Sequence, residues 1–212
     1  MSIFDKIFSR VPFWMQNPKV TSPPSQPNVP KADYLAHFDS VYPTMLGYVL
    51  FGNIPTYHSP RSPQVVLVWR KLVAASKRRN IKAVVLDTPD NANPDILGLY
   101  EHTYTKKIKI SRKNGDRKVI TFLHEFIHHI DISECINVYN YFPNDTRPLE
   151  IVAYCSTYLV GSYYFGDWVL PTLEPLRRVF RIGIDDIKAH EWRIKTVSNK
   201  VLAILEGSPT AI

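Results

Sequence analysis

The chain has 212 residues, of which 45% are hydrophobic and 21% charged, and its formal net charge is +7. This balance is typical of a globular protein and excludes wholesale disorder, collagen-like repetition and a coiled coil. No apolar run reaches the roughly 18 residues needed to span a bilayer, so we expect no transmembrane segment. The two cysteines, Cys135 and Cys155, cannot form a disulfide framework, and no secretory signal is recognised. We therefore expect a cytoplasmic protein, or one associated with a phage or virus inside the cell.

Residues 1–31 differ in composition from the rest of the chain. Apolar residues recur at helical spacing within residues 1–17, and prolines punctuate the stretch that follows. This pattern predicts a short amphipathic peptide and an extended Pro-rich linker, joined to a domain of residues 32–212. Two interpretations stay open: the peptide folds back onto its own domain, or it docks to a partner. Because the peptide has few cations, a protein groove is favoured over a lipid surface as that partner.

Hydrophobic periodicity predicts a mixture of helices and short strands along the domain. The predicted elements are a helix over 32–52 that Pro43 weakens, a helix over 64–79, strands over 81–87, 97–104 and 105–112, helices over 117–132 and 146–163, a basic segment punctuated by prolines, and a helix over 185–206. Asn114-Gly115 is a turn signal that we interpret as the loop between the third strand and the next helix. The order of these elements predicts an α+β fold.

The predicted helix over 117–132 carries the residues that indicate chemistry. It contains the pattern HExxH, formed by His124, Glu125 and His128. A spacing of four places the two imidazoles on one helix face, one turn apart, where both can bind one tetrahedral Zn²⁺. Glu125 lies beside them and is suited to act as a general base that takes a proton from metal-bound water.

This pattern is specific. With seven histidines and seven glutamates in 212 residues, chance alone produces it roughly 0.007 times per chain. Burying polar groups without partners costs free energy. Two histidines and a glutamate on a buried helix therefore indicate that these side chains have partners or a function. The alternatives left open are a surface helix with accidental histidines and a metal site without catalysis. The apolar residues that predict burial of this helix are Val119, Ile120, Phe122, Leu123, Phe126, Ile127 and Ile130.

A catalytic zinc site needs a third protein ligand and an open position for water. An extended pattern HExxHxxGxxH would require glycine where the chain has Asp131 and a ligand at Glu134. Without the glycine, we do not expect the chain to reverse direction soon enough after the helix to bring residue 134 next to the two histidines. Glu150 is favoured instead, because it begins the next predicted helix and can reach across to the first one. The alternative for Glu150 is a first-turn glutamate stabilised by the helix dipole.

HExxH followed by Glu-x-x-Ala from Glu150 resembles the gluzincin metallopeptidases, in particular the compact ImmA/IrrE family and other minimal gluzincins. In that group a helix, a small three-stranded sheet, the HExxH helix and the Glu-bearing helix form the catalytic core, and residues 64–163 follow this order. The resemblance implies a zincin-like core with extra N- and C-terminal helices. It further implies one Zn²⁺ held by His124, His128 and Glu150, with Glu125 as the catalytic base.

The resemblance also implies where a substrate binds. In the family, the strand before the HExxH helix is the sheet edge that pairs with an extended peptide, and here this strand lies over residues 105–112. Lysine and isoleucine alternate along it, which predicts that one face is in contact with solvent. The residues expected to form the substrate-binding edge are Lys107, Ile108, Lys109 and Ile110.

Residues close to the HExxH pattern each have two interpretations. His129 either donates a hydrogen bond to a tetrahedral oxyanion or is a half-buried polar residue. Asp131 either orients a ligand imidazole or is a helix-terminal aspartate on the surface. Tyr154, like Tyr139 and Tyr141, either stabilises the oxyanion or contributes to packing.

The sequence thus predicts a zinc-dependent peptidase that hydrolyses peptide bonds in a protein or peptide substrate. The alternative is a zinc-stabilised, non-catalytic interaction or structural protein, for example a component of a phage or other large assembly. It would dock through its N-terminal peptide or its basic C-terminal region. A third hypothesis is a DNA-associated regulator that cleaves a repressor-like protein, which rests on analogy with the family and on the net charge of +7. The basic residues that concentrate late in the chain have three interpretations: contact with nucleic acid, contact with an acidic protein partner, or a solvated helix face. These residues are Arg177, Arg178, Arg181, Lys188, Arg193, Lys195 and Lys200.

Overall fold

A computed structural model describes residues 33–52, 60, 62–90, 93, 95–101, 106–135 and 146–207. The amphipathic peptide and linker predicted over residues 1–31 lie outside these ranges. The predicted α+β class is confirmed. The elements are α1 Asp33–Phe51, α2 Ser62–Arg78, β1 Lys82–Leu86, β2 Gly98–Glu101, β3 Lys107–Ser111, a 3₁₀ segment Arg112–Arg117, α3 Lys118–Ile130, a π-helical turn Asp131–Cys135, α4 Arg147–Phe165, a 3₁₀ segment Gly166–Leu173, α5 Glu174–Arg178, α6 Ile184–Ala189 and α7 Glu191–Leu205.

The single helix predicted over 185–206 is wrong, because the chain forms two helices there. His190 leaves helical geometry, with φ −110° and ψ 6°, and separates α6 from α7. Each helix buries its own apolar residues, Ile187 on α6 and Ile194 on α7, both with no exposed surface. The apolar spacing continues across the break, so periodicity alone does not reveal it.

The three predicted strands form one mixed sheet in the order β1–β3–β2. β1 pairs with β3 in parallel, and β2 pairs with β3 antiparallel. The prediction that residues 105–112 form the sheet edge is therefore wrong for Lys107, Ile108, Lys109 and Ile110. Their strand is central because it has a partner on each side, and both isoleucines are fully buried. Alternation of Lys and Ile identifies a strand with one covered face, but it does not say how many strands pair with it.

The predicted Asn114-Gly115 turn connects β3 to α3. Ser111 accepts a hydrogen bond from the Lys113 N–H at 3.2 Å, and Gly115 adopts φ +53°, which L side chains rarely tolerate. This reversal returns the chain so that α3 packs against β2 and β3 on one side and against α4 on the other. The sheet edge, α3 and the start of α4 thus meet in one place.

The hydrophobic core lies around α3 and α4. Phe122 and Phe126 on α3 and Tyr158 on α4 are fully buried. At Gly161, a Cβ atom would lie 2.8 Å from Val169 Cγ1, so the glycine allows the following 3₁₀ segment to pack closely on α4. Within the described ranges, no helix is both long and apolar enough to cross a membrane.

Candidate metal centre

The two histidines of the HExxH pattern lie on one face of α3, as their spacing predicts. His124 Nε2 and His128 Nε2 are 3.1 Å apart, and the ring planes are almost perpendicular, at 86°. His128 is buried, whereas His124 keeps partial exposure. The pair therefore presents two imidazole nitrogens toward one point at the surface of the core.

Glu150 lies in the first turn of α4 and contacts both imidazoles. Its Oε2 is 3.4 Å from His124 Nε2, and its Oε1 is 3.5 Å from His128 Nε2. Pro148 at the start of α4 lacks an N–H, which is tolerated because the first helical turn has no intrahelical acceptor for it. Ala153, one turn later, is buried between the helices, and its small side chain permits their close approach.

These three residues can hold a metal ion. One ligand atom from each of them lies within 4.8 Å of the other two. Zinc bonds of about 2.0–2.2 Å in a tetrahedron place neighbouring ligand atoms about 3.4 Å apart. His124 Nε2 and His128 Nε2 are 3.1 Å apart, and they lie 3.4 and 3.5 Å from different oxygens of Glu150, so each separation is close to this value. Two imidazole nitrogens and a carboxylate are also a common donor set for catalytic zinc.

Electrostatics at the centre favour a carboxylate beside the imidazoles. Burial by itself would raise the pKa of Glu150. The hydrogen bonds that His124 and His128 donate, together with their positive charge, instead hold this pKa far below the ordinary glutamate range. Burial would lower the pKa of His128, but the Glu150 carboxylate overcomes this and raises it. The centre thus contains an ionised carboxylate that favours positive charge at the neighbouring nitrogens.

Glu125 is the other carboxylate of the pattern, and only 6% of its surface is exposed. Burial raises its pKa, although the charges of His124 and His128 and a hydrogen bond from the Tyr100 N–H oppose that shift. Gly98 lies equally close: a Cβ atom on this residue would be 2.5 Å from Glu125 Oε1. Glu125 is therefore held between the metal-binding face of α3 and strand β2.

Two of the secondary candidates have different surroundings. His129 lies on the side of α3 that faces β2, where its Nδ1 is 2.8 Å from the Tyr100 hydroxyl and 3.4 Å from Ser133 Oγ. It is 2% exposed, which favours a buried polar residue over an oxyanion donor.

The ring of Tyr154 packs on His124 with 4.4 Å between centroids. Burial raises the pKa of Tyr154, with help from the charges of Glu150 and Glu125, so its phenol stays protonated and able to donate.

The structure excludes one of the two interpretations of Asp131. It is 1% exposed, so it is not a surface residue. Its Oδ1 and Oδ2 accept hydrogen bonds from Arg193 Nε and Nη2 at 2.8 and 2.5 Å. Both carboxylate oxygens are thus taken by an arginine of α7, and the residue ties the π-helical turn to that helix. The charge of Asp131 also raises the pKa of His128, so the interpretation that Asp131 orients a ligand imidazole stays a prediction.

Other candidates are not part of the centre. Glu134 forms ion pairs with Arg79 at 3.0 Å and Lys200 at 2.8 Å and is not grouped with the metal-binding residues. Cys155 is buried and Cys135 is partly buried, and both are free thiols. Tyr139 and Tyr141 lie outside the described residues.

Residues on β2 that the sequence reasoning did not select prove to contact the centre. Gly98 and Tyr100 were assigned only to a strand. Arg193, which contacts Asp131 and lies outside the centre, was named only among the basic residues late in the chain. A glycine inside a strand often marks close approach by another part of the chain, and this signal was available at Gly98. No comparable local signal marks Tyr100 or the pairing of Arg193 with Asp131.

The described geometry thus combines a His–His–Glu group, a buried carboxylate beside it, and a short strand that contacts that carboxylate. Comparisons of the chain with protein-family models, curated proteins and solved structures found no match.

Proposed function

We propose that the chain is a zinc-dependent peptidase with a zincin-like core. One observation carries the proposal: ligand atoms of His124, His128 and Glu150 lie within 4.8 Å of one another, with the buried Glu125 carboxylate beside them. The order of α2, three strands, α3 and α4 supports the same interpretation, because it follows the order expected for a minimal gluzincin.

The residues of the centre have separate roles in this proposal. His124, His128 and Glu150 would hold zinc, which when bound supplies Lewis acidity toward a peptide carbonyl and toward water. Glu125 takes the proton of the attacking water on its carboxylate and then delivers it to the nitrogen of the leaving amine. Burial keeps bulk water away from Glu125, and its raised pKa brings it closer to the pH at which it must exchange a proton.

The position of β2 supports a revised binding site for substrate. The Leu97 carbonyl accepts a hydrogen bond from the Ser111 N–H, so the backbone groups of Leu97 point toward β3. Because backbone direction alternates along a strand, the N–H and C=O groups of Gly98 and Tyr100 point to the opposite edge. Among the described residues, no strand pairs with that edge. We propose that an extended peptide pairs with this edge through the backbone of Gly98 and the Tyr100 carbonyl, while the Tyr100 N–H stays bonded to Glu125. This site replaces the strand edge at 107–110 that the resemblance implied.

The test is hydrolysis of an unstructured peptide mixture by the full chain, with new termini detected by mass spectrometry. We expect cleavage by the zinc-loaded protein, loss of cleavage after chelation, and recovery when zinc is restored. Glu125→Gln should keep its zinc and lose hydrolysis. Glu134→Gln is the matched control, because the same change at a carboxylate outside the centre should leave hydrolysis intact. Cleavage that survives chelation or Glu125→Gln would refute the proposed mechanism.

A further inference from the structure

Strand β2 and helix α3 lie in a regular register that places Glu125 between two residues of the strand. Thr121, Glu125 and His129 are spaced four apart and form one row along α3. Gly98 faces the first two of these residues, and Tyr100 contacts the last two. Two residues of a strand rise about 6.6 Å and four residues of a helix about 6 Å. Every second residue of β2 can therefore lie opposite every fourth residue of α3.

Gly98 is the reason that the strand can approach so closely. A Cβ atom at this position would lie 2.5 Å from Thr121 Cγ2, 2.5 Å from Glu125 Oε1 and 3.0 Å from Glu125 Cγ. Real Cβ atoms are almost never found at such distances, so any side chain at residue 98 would displace either the strand or the Glu125 carboxylate.

Tyr100 holds the strand in this position by two contacts on α3. Its backbone N–H donates to the Glu125 carboxylate, and its hydroxyl is hydrogen-bonded to His129 Nδ1 at 2.8 Å. The two rings also pack edge to face, with centroids 5.5 Å apart. One residue therefore contacts α3 both at the carboxylate and one turn further along.

We propose that Gly98 and Tyr100 are positioning residues, which fix the Glu125 carboxylate beside the metal centre rather than on it. Gly98 provides the room, the Tyr100 N–H fixes the carboxylate, and the Tyr100 hydroxyl anchors the strand to His129. The consequence for catalysis rests on the proposed peptidase function, whereas the placement of Glu125 does not.

The placement is tested without any assay of activity, by amide hydrogen exchange of the full chain measured by NMR. In Glu125→Ala the Tyr100 N–H loses its acceptor, and its exchange should accelerate by about tenfold or more. The amides of β3 should keep their wild-type rates, which shows that the sheet is intact. An unchanged Tyr100 rate in a folded Glu125→Ala variant would overturn the proposal.

The consequence for catalysis is tested with Gly98→Ala. We expect kcat for peptide hydrolysis to fall by about tenfold or more, with KM and zinc content close to wild type, because the base is misplaced while the ligands are not. Gly47→Ala is the matched control, since a Cβ atom there meets nothing within 4 Å. Wild-type kcat in Gly98→Ala would overturn the proposal.

A second variant covers the case in which Gly98→Ala fails to fold. Tyr100→Phe keeps the backbone N–H and removes the contacts of the hydroxyl with His129 and Ser133. We expect a lower kcat, unchanged zinc content and faster exchange of the residue 100 amide; wild-type values for kcat and exchange would refute the role of the hydroxyl. A wild-type protein that binds zinc but cleaves no peptide would refute the peptidase function, and the exchange experiment would still decide the placement of Glu125.

Discussion

Two buried carboxylates lie six residues apart on α3 and the turn that follows it, and their surroundings differ. Asp131 is 1% exposed, and both of its oxygens accept hydrogen bonds from Arg193. Glu125 is 6% exposed and accepts a hydrogen bond from the Tyr100 N–H. In the part of the chain that the structure describes, no lysine or arginine forms an ion pair with Glu125.

This difference separates a structural charge at Asp131 from the charge at Glu125 that we propose is reactive. Removing an ionised carboxylate from water costs several kcal/mol of free energy. A well-placed cation can offset this cost by a similar amount. At Asp131 the guanidinium provides that compensation and fixes the carboxylate against α7. At Glu125 burial raises the pKa, and the nearest positive charges are the two imidazoles of the metal centre. We therefore assign stability to the first carboxylate and chemistry to the second.

The largest expected effect is on catalysis at Glu125. Glu125→Gln keeps the shape of the side chain and removes the proton acceptor, so peptide hydrolysis should fall by about a hundredfold to ten-thousandfold. The free energy of unfolding should stay within about 1 kcal/mol of wild type, because no salt bridge is lost. Peptide turnover and urea denaturation measure the two quantities. A Glu125→Gln variant that loses stability as well as activity would contradict the distinction between the roles of Glu125 and Asp131.

The reverse pattern is expected at the other carboxylate. Arg193→Met leaves Asp131 buried without its partner and should lower the free energy of unfolding by about 3–5 kcal/mol. Zinc content of the folded protein should stay at the wild-type level, because neither residue is a ligand. Denaturant unfolding, combined with metal analysis, tests both expectations.

The double variant Arg193→Met with Asp131→Leu provides the control for this pair. Replacing both partners by apolar groups removes the unpaired charge, so most of the lost stability should return. If the double variant were no more stable than Arg193→Met alone, the loss would arise from packing and not from the unpaired carboxylate.

A smaller effect is expected at Glu134, a partly exposed carboxylate on the same π-helical turn. Burial would raise its pKa, but hydrogen bonds from Lys200 and Arg79 overcome this and lower it. A lowered pKa stabilises the fold above the unfolded glutamate pKa of about 4.3, and this gain is lost as the pH falls through the lower folded value. Glu134→Gln should therefore cost about 1 kcal/mol near pH 7 and close to nothing well below pH 4. A cost that is constant with pH would contradict the ion-pair explanation.

The candidate metal ligands could be selected from the sequence because most of their arrangement is local. Helical periodicity alone places His124 and His128 on one face, and the HExxH helix is predicted from the apolar residues around it. Glu150 required one non-local assumption, that the next helix packs against the first. The structure brings the three residues together, and the small Ala153 lies buried at that contact.

The neighbours of Glu125 and Asp131 could not be selected in this way, because they depend on pairings between distant parts of the chain. Period-two alternation identified β3 as a strand, but it does not say which strands pair with it, so the edge was assigned wrongly. The Asp131–Arg193 pair joins residues 62 positions apart. Nothing in the local pattern around either residue distinguishes this partner from the other cations of the C-terminal region.

The most direct test of the account is zinc content, measured by elemental analysis on wild type, His124→Ala and Glu150→Ala purified without chelators. We predict one zinc per wild-type chain and loss of zinc in both variants, since each variant removes one of the three proposed ligands. Asp131→Asn, which changes a carboxylate outside the metal centre, should keep its zinc. Zinc that remains in Glu150→Ala, or a wild-type chain that binds none, would contradict the His–His–Glu centre.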